Sequence, residues 1–288
     1  MGQGLHTKLI QVAGKALGVP ITKIHTQGSC SNGTPNATAT GGSVGTDLYG
    51  PAVLQACKKI NHRLEKYKAE RPLGTWEEWV MAAYQNCTSL VAYGHFDNCH
   101  GIDFNFATNS GKNFHYFTYG AGALRVEVNC LTGDITVLSA HLVLDLGKSL
   151  NPAIDIGQVE GAFVQGLGYM TTEQLIRSKE TGKLLSSGPG DYKVPNITDL
   201  PLGLNVTFLN HEEGPPTSAC LSSKGIGEPP LVLSTGIPSA VRMAVKSFRD
   251  DKKIEDNWFD LHPPLTPEKV ALVCQGLPAF SAKGTLET

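Results

Sequence analysis

The sequence predicts an α+β fold in which mixed sheets pack with helices. Three observations carry this expectation. Helical periodicity dominates residues 5–85, a period of two takes over between about 124 and 146, and the remainder alternates helix-like with strand-like stretches.

Taken in order, residues 5–17 set Leu5, Leu9, Val12, Ala13 and Ala16 at helical spacing, and Gly18-Val19-Pro20 stops the run. Ile21 to His25 reads as a short strand. Thr26 to Thr46, rich in Gly, Ser, Thr and Asn, is a loop of a length that is either mobile or functional. Residues 48–70 form a second helix whose last turns carry Arg63, Glu65, Lys66, Lys68 and Glu70, read as a solvated face. Thr75 to Gln85 is a third, with Thr75 as cap and Glu77-Glu78 at the positive end of the helix dipole. Leu124, Val126 and Val128 then alternate with Arg125, Glu127 and Asn129, a strand with one wet face. Leu131-Thr132-Gly133-Asp134 turns the chain and Ile135 to Leu146 returns as the second arm of a hairpin. A glycine-rich helix follows over about 152–174, then strand-like segments near 190–195 and 204–210. A long helix runs from Pro229 to Arg249, and Thr266-Pro267-Glu268 opens a short one ending near Cys274. Residues 1–275 therefore read as one region, with a subdomain division expected near 110–115, and 276–288 as a tail.

Composition narrows the functional classes. A net charge of −2 and a pI near 6.5 give no basic surplus for nucleic acid or an anionic membrane. No stretch approaches the ~18 apolar residues of a membrane span. Seven cysteines, an odd number without a CxxC pair, fit a reduced cytoplasmic setting better than a disulfide framework. Five N-x-[ST] sequons (Asn32, Asn36, Asn86, Asn196 and Asn205) point the other way, but the first twenty residues do not read as a signal peptide. Glycine, 32 of 288 residues or about 11%, exceeds the usual ~7%, which means backbone that must turn sharply or be approached closely.

Four motifs say more than composition. In Gly2-Gln3-Gly4 two glycines flank a glutamine at a helix start, where backbone amides and the dipole face outward. Thr38 to Asp47 contains Gly41-Gly42-Ser43-Val44-Gly45, a run that forms either an anion-binding nest or a flexible loop; it lacks the lysine of a nucleotide P-loop. On the helix from Asn151, one stripe holds Val159, Phe163, Leu167 and Met170, and another holds Gln158, Gly161, Ala162 and Gln165. Four glycines between 157 and 168 each cost a helix about 1 kcal/mol against alanine, so close packing is expected there, against another helix or against a flat ligand. In Gly225-Ile226-Gly227-Glu228-Pro229-Pro230, the proline after Glu228 pushes it towards extended geometry at a helix start. A carboxylate held in this way suits a general base, or it is simply a cap on a Pro-initiated helix. His95, Cys99 and His100 lack a second ligand pair at metal spacing, which argues against a structural zinc. Asp97, His115 and His141 form no readable triad.

The motifs occur in series. GQGLHTKLIQVAGKALGVP at 2–20, YFTYGAGALRVEVNCLTGD at 116–134, LNPAIDIGQVEGAFVQGLG at 150–168 and SKGIGEPPL at 223–231 together resemble the C-terminal molybdopterin-binding region of the xanthine dehydrogenase/aldehyde oxidase family, the molybdenum hydroxylases. The resemblance implies the fold of the second molybdenum-cofactor subdomain and an oxidoreductase with a molybdenum-molybdopterin cofactor. Position by position, it matches Gln3 to a glutamine touching the cofactor, and Gly42 and Ser43 to the loop packed against molybdenum and pterin, Gly42 at the metal. Gln158 matches the glutamine near an oxygen ligand of the metal, and Glu228 the catalytic base. Gly45 stands where many members carry a small hydroxyl residue. The implied reaction hydroxylates a purine, N-heterocycle or aldehyde at an electron-poor carbon with water-derived oxygen, and GEPPL leans towards the xanthine branch. The family also implies iron–sulfur clusters, FAD and a first molybdenum domain upstream, and a homodimer when complete. On that footing the chain is expected to be a fragment inactive alone. Two other readings stand beside this one: a non-catalytic remnant, and a stand-alone anion-binding domain.

Overall fold

The computed structural model describes residues 2–34, 36–96, 102–209, 219–254 and 258–278. Asp97, Cys99 and His100 lie outside the described residues, as does most of the expected tail. The chain divides into two compact units. The first takes Met1–Thr118, Leu146–Asp155 and Asn210–Gly227; the second takes Tyr119–Asp145, Ile156–Leu209 and Glu228–Thr288.

The first unit begins with helix α1 (Leu5–Leu17), closed by Gly18 in the left-handed conformation, whose N–H returns to the Gly14 carbonyl. The expected strand at Ile21–His25 is instead a 3₁₀ turn, Ile21–Lys23. Pro20 pre-sets its first bend, and the Lys23 and Ile24 amides bond back to Pro20 and Ile21 rather than to a neighbouring strand. Helix α2 (Gly45–Glu70) starts inside the predicted loop, and α3 (Trp76–Gln85) opens on a capping box. There the Glu78 amide donates to Thr75 Oγ1, and the Thr75 amide to Glu78 Oε2. Leu64, Tyr67 and Ala83 form a small core between these helices, with Ile60, Trp76 and Trp79 packed against it. The charged end of α2 is not a purely solvated face. Arg63 donates to the carbonyls of Ser89 and Val91, which fastens the segment after α3, and Lys68 lies over Trp79 at 5.5 Å.

The second unit is built on a three-stranded mixed sheet of order β1-β2-β3. Strand β1 (Tyr119–Val128) pairs antiparallel with β2 (Ile135–Asp145), and β2 pairs parallel with β3 (Leu204–Phe208). The alternation read in β1 holds from Leu124 on, after which a bulge at Arg125/Val126 shifts the register. Gly133 closes the hairpin turn with φ 82, and its Cα faces the backbone of Pro267, leaving no room for a side chain. Central β2 buries Val137, Ala140, Leu142 and Leu144. Val159, Phe163 and Leu167 of α4 (Pro152–Met170) are buried as well, each such side chain contributing about 1.5–3 kcal/mol.

Two elements differ from expectation here. Residues 190–195 hold a single helical turn, α5 (Pro189–Tyr192), because Pro189 occupies the first helical position and the Asp191 and Tyr192 amides return to Gly188. The long C-terminal helix is broken: a 3₁₀ stretch, Pro229–Thr235, precedes α6 (Gly236–Asp251). Two prolines at the start remove donors, and Ser234 and Thr235 bond with their hydroxyls to carbonyls three residues back. In α6, Ile237, Val241 and Val245 form the buried stripe, followed by α7 (Pro267–Cys274).

Candidate active site

In the first unit, Gln3 sits between two left-handed glycines, Gly2 (φ 76) and Gly4 (φ 65). Gly4 is the α1 N-cap and supplies no side-chain cap, so the first-turn amides keep their outward direction. A side chain on Gly4 would strike Ile154, which is why the residue has none. The helix start is anchored by a buried polar network. Lys8 Nζ lies 2.5 Å from Asp155 Oδ1, Ser149 Oγ donates to Asp155 Oδ2 at 2.6 Å, and Asn151 Nδ2 donates to Gln11.

The turn at 41–45 has two consecutive left-handed residues, Gly42 (φ 63) and Ser43 (φ 57). Ser43 pays about 1–3 kcal/mol for that conformation, a strain found where the fold over-determines a site. Nothing lies within 4 Å of a Cβ added to Gly2 or Gly41, and only Val44 Cγ1, at 3.9 Å, within reach of one on Gly42. Gly45 is different. A Cβ there would stand 3.2 Å from a Leu5 methyl, so its missing side chain serves helix packing, and what it offers a ligand is its backbone. Leu5 against Gly45 brings the α1 and α2 starts together.

The segment 222–227 reaches the same place. It pairs with 146–148 through Lys148 N to Ser222 O (2.8 Å) and Lys224 N to Leu146 O (2.9 Å). Gly225 then fits against the turn: a Cβ on it would be 3.0 Å from Ser43 O and 3.2 Å from Tyr116 Oη. The Gly225 N–H donates to Tyr116 Oη at 2.8 Å, Thr118 Oγ1 donates to the Gly225 carbonyl at 3.2 Å, and the Tyr116 hydroxyl donates to Asp47 Oδ2. Burial, opposed by the Tyr116 hydrogen bond, pushes the Asp47 carboxyl up; burial and Asp47 together push the Tyr116 hydroxyl up. Asp47 Oδ1 is buried and accepts no hydrogen bond among the described residues. Sequence reasoning missed Tyr116 and Asp47 as a pair. Asp47 ends the glycine motif, but nothing in the sequence ties it to a residue 69 positions away.

In the second unit, Gln158 is half-buried and Gln165 exposed. The helix glycines divide. Gly166 and Gly168 serve close packing, the first against Leu231 and Ser234, the second against Pro195. Gly157 and Gly161 do not, since nothing lies within 4 Å of a Cβ on either. Beside α4, a cavity of about 580 Å³ is lined by Val164, Gln165, Tyr169, Glu173, Val194, Pro195 and Leu231. Glu228 is exposed and precedes the 3₁₀ stretch with φ −107 and ψ −34, not the extended geometry expected before proline. Its carbonyl accepts the Leu231 N–H at 3.0 Å, and closing that turn requires a helical ψ. Its side chain makes no capping hydrogen bond, so the plain N-cap reading of Glu228 does not hold. Among the described residues, no three His, Cys, Asp or Glu side chains converge as a metal site.

A family model described as "Molybdopterin cofactor-binding domain" matches residues 1–201. The chain belongs to the molybdopterin-binding region of the molybdenum hydroxylases. Within that family it is 47% identical over 274 residues to a xanthine dehydrogenase/oxidase of Gallus gallus, covering 95% of this chain and 20% of the relative. It is 44% identical over 277 residues to aldehyde oxidase 1 of Oryctolagus cuniculus, covering 96% and 20%. Its fold is similar to that of an aldehyde oxidoreductase from Desulfovibrio gigas, with TM-score 0.75, 25% identity, and coverage of 95% of this chain and 28% of that one. The chain thus spans about a fifth of the length of its curated relatives. In the first unit, left-handed glycines at 2 and 42 and the open glycine at 41 leave backbone accessible near the Gln3 amide, donors that suit an anionic cofactor; in the second unit, the open glycines at 157 and 161 stand near the Gln158 amide on α4. No helix among the described residues is long and apolar enough to cross a membrane.

Proposed function

We propose that this chain is the molybdopterin-binding, catalytic portion of a molybdenum hydroxylase acting on a purine, N-heterocycle or aldehyde at an electron-poor carbon. The observation that supports the reading is the seating of Gly225, inside the family motif SKGIGEPPL, on Ser43 of the Gly42-Ser43 turn. When bound, the cofactor supplies the two-electron acceptor and the water-derived oxygen. Glu228 is the general base, its exposed carboxylate receiving a proton at an Oε atom. Backbone at Gly42 and Ser43 would hold the cofactor, with Gly42 assigned to the metal, and the Gly45 amide at the start of α2 would lie beside them. The amides of Gln3 and Gln158 orient it by hydrogen bonds, and fixed dipoles of this kind need no reorganisation as charge develops.

Identities of 47% to a xanthine dehydrogenase and 44% to an aldehyde oxidase favour neither substrate class decisively. Turnover is assigned to the complete polypeptide, a homodimer in which iron–sulfur clusters, FAD and a first molybdenum domain belong to the four-fifths of the relatives' length outside this match. Hydroxylation in ¹⁸O-labelled water by the complete enzyme tests the reading. The label is expected in the product; label arriving from O₂ would overturn it.

A further inference from the structure

The second unit contains two cysteines, and the fold brings them together. Cys130 stands in the turn between β1 and β2, and Cys274 ends α7. The turn is rigid. The Asn129 amide donates to Asp134 O at 2.9 Å, the Gly133 amide returns to Asn129 O at 2.6 Å, and Asn129 Oδ1 accepts the Leu131 amide at 3.0 Å. It is also pressed onto α7: a Cβ on Gly133 would lie 1.8 Å from Pro267 O and 2.9 Å from the Ala271 amide nitrogen. Cys274 follows Ala271 by three residues, about 4.5 Å along the helix axis. Its fully buried side chain has Cys130 as a hydrogen-bonding neighbour, and Cys130 is itself only partly buried. One sulfur is thus reachable from solvent and the other waits behind it. We propose that Cys130 and Cys274 are a peroxide-oxidisable thiol pair that closes to a disulfide and staples the β1–β2 turn to α7. The Cys130 thiolate attacks hydrogen peroxide; an S–O bond forms, the O–O bond breaks and hydroxide leaves. The Cys274 sulfur then attacks the sulfenic sulfur, forming the S–S bond and expelling the oxygen, which leaves as water with the Cys274 proton. Two thiols lose two electrons and two protons, and one peroxide becomes two waters. The Arg249 guanidinium, whose Nη1 holds the neighbouring Val273 carbonyl at 2.6 Å, favours the Cys274 thiolate against burial in the second step.

The test is hydrogen peroxide treatment of the full 288-residue chain, followed by peptide mapping and thermal melts. A cross-linked Cys130–Cys274 peptide is expected, lighter by two hydrogens than the reduced pair and released by dithiothreitol. The thermal midpoint should rise by roughly 5–10 °C, because a staple across so long a stretch of chain constrains the unfolded state. Cys130→Ser, a change at a partly exposed position, should abolish that rise. Cys130 advancing to sulfinic acid while Cys274 stays a thiol would overturn the proposal. A peroxide-induced rise that survives in Cys130→Ser would overturn it as well. Should Cys130→Ser fail to fold, the wild-type chain oxidised in concentrated urea replaces it as the control. Native oxidation is expected to give the 130–274 link as the main product, and oxidation of the unfolded chain a scrambled mixture. The same mixture from both would overturn the proposal.

Discussion

Lys8 and Asp155, 147 residues apart in sequence, form a buried ion pair at 2.5 Å, with the two side chains 7% and 1% exposed. Removing one partner of such a pair leaves a buried charge and typically costs about 3–5 kcal/mol. Asp155→Asn is expected to lower the unfolding free energy of the first unit by that order in urea titrations. Lys8→Met combined with Asp155→Leu should recover much of the loss, because it leaves neither charge behind. A double variant no more stable than Asp155→Asn would show that the network's hydrogen bonds, not the unpaired charge, dominate.

The glycines of α4 give a second prediction. Gly157→Ala and Gly161→Ala enter open space, so each should stabilise the chain by about 0.5–1 kcal/mol through helix propensity. Gly166→Ala and Gly168→Ala would meet Leu231, Ser234 and Pro195 and should destabilise it. Thermal melts of the four variants check this. In the complete enzyme the first pair is expected to lower molybdenum content, since the added methyl groups would occupy backbone proposed as open to the cofactor.

Alkaline stability should fall through buried thiols. Burial, and secondarily Asp47, pushes Cys220 up to about 11, and burial with Cys130 pushes Cys274 up to about 12. A raised folded-state pKa gives stability that is full below the unfolded value near 9.0 and is lost as pH rises towards the folded one. Each thiol contributes a slope of at most about 1.4 kcal/mol per pH unit in that window. Cys220→Ala is expected to remove one such contribution between pH 9 and 11, whatever it does to the absolute stability. An unchanged slope in urea titrations across that range would contradict the assignment.

Much of this fold is legible locally. The α1 stop at Gly18, the α3 capping box and the β1 alternation all depend on residues within a few positions of one another, where turn and cap chemistry acts. The misreadings at Ile21–Lys23, Pro189–Tyr192 and Pro229–Thr235 share one cause: short runs in which proline placement sets a tight turn, in place of a strand in the first two and of an α-helical start in the third, without any periodicity to count. The residues proposed to hold the cofactor stand in contiguous motifs, which is what makes them visible in the sequence. The Asp47–Tyr116–Gly225 relay is not visible there, since its members are separated by 69 and 109 residues and only the folded chain brings them together.

Gln158 and Gln165 stand seven residues apart on α4, about 10 Å along the axis at 1.5 Å per residue, so one metal centre cannot contact both. Gln158→Ala should change the molybdenum paramagnetic resonance signal of a complete enzyme. Gln165→Ala, which alters the wall of the cavity beside Tyr169 and Leu231, should alter stability or cofactor retention instead. A perturbed metal spectrum from the Gln165 variant alone would reverse the assignment.

The chain alone covers a fifth of its relatives' length, and it is expected to bind little molybdopterin and to show no hydroxylase activity. Metal and pterin analysis of the purified chain checks this, and stoichiometric molybdenum would contradict it.

The assignment of Glu228 as base is tested by turnover of Glu228→Gln in the complete enzyme, measured alongside its molybdenum content. Loss of a positioned base costs about 10²–10⁴-fold, so turnover should fall by at least that factor with molybdenum unchanged. Turnover within a few-fold of wild type, at equal molybdenum content, would contradict the account.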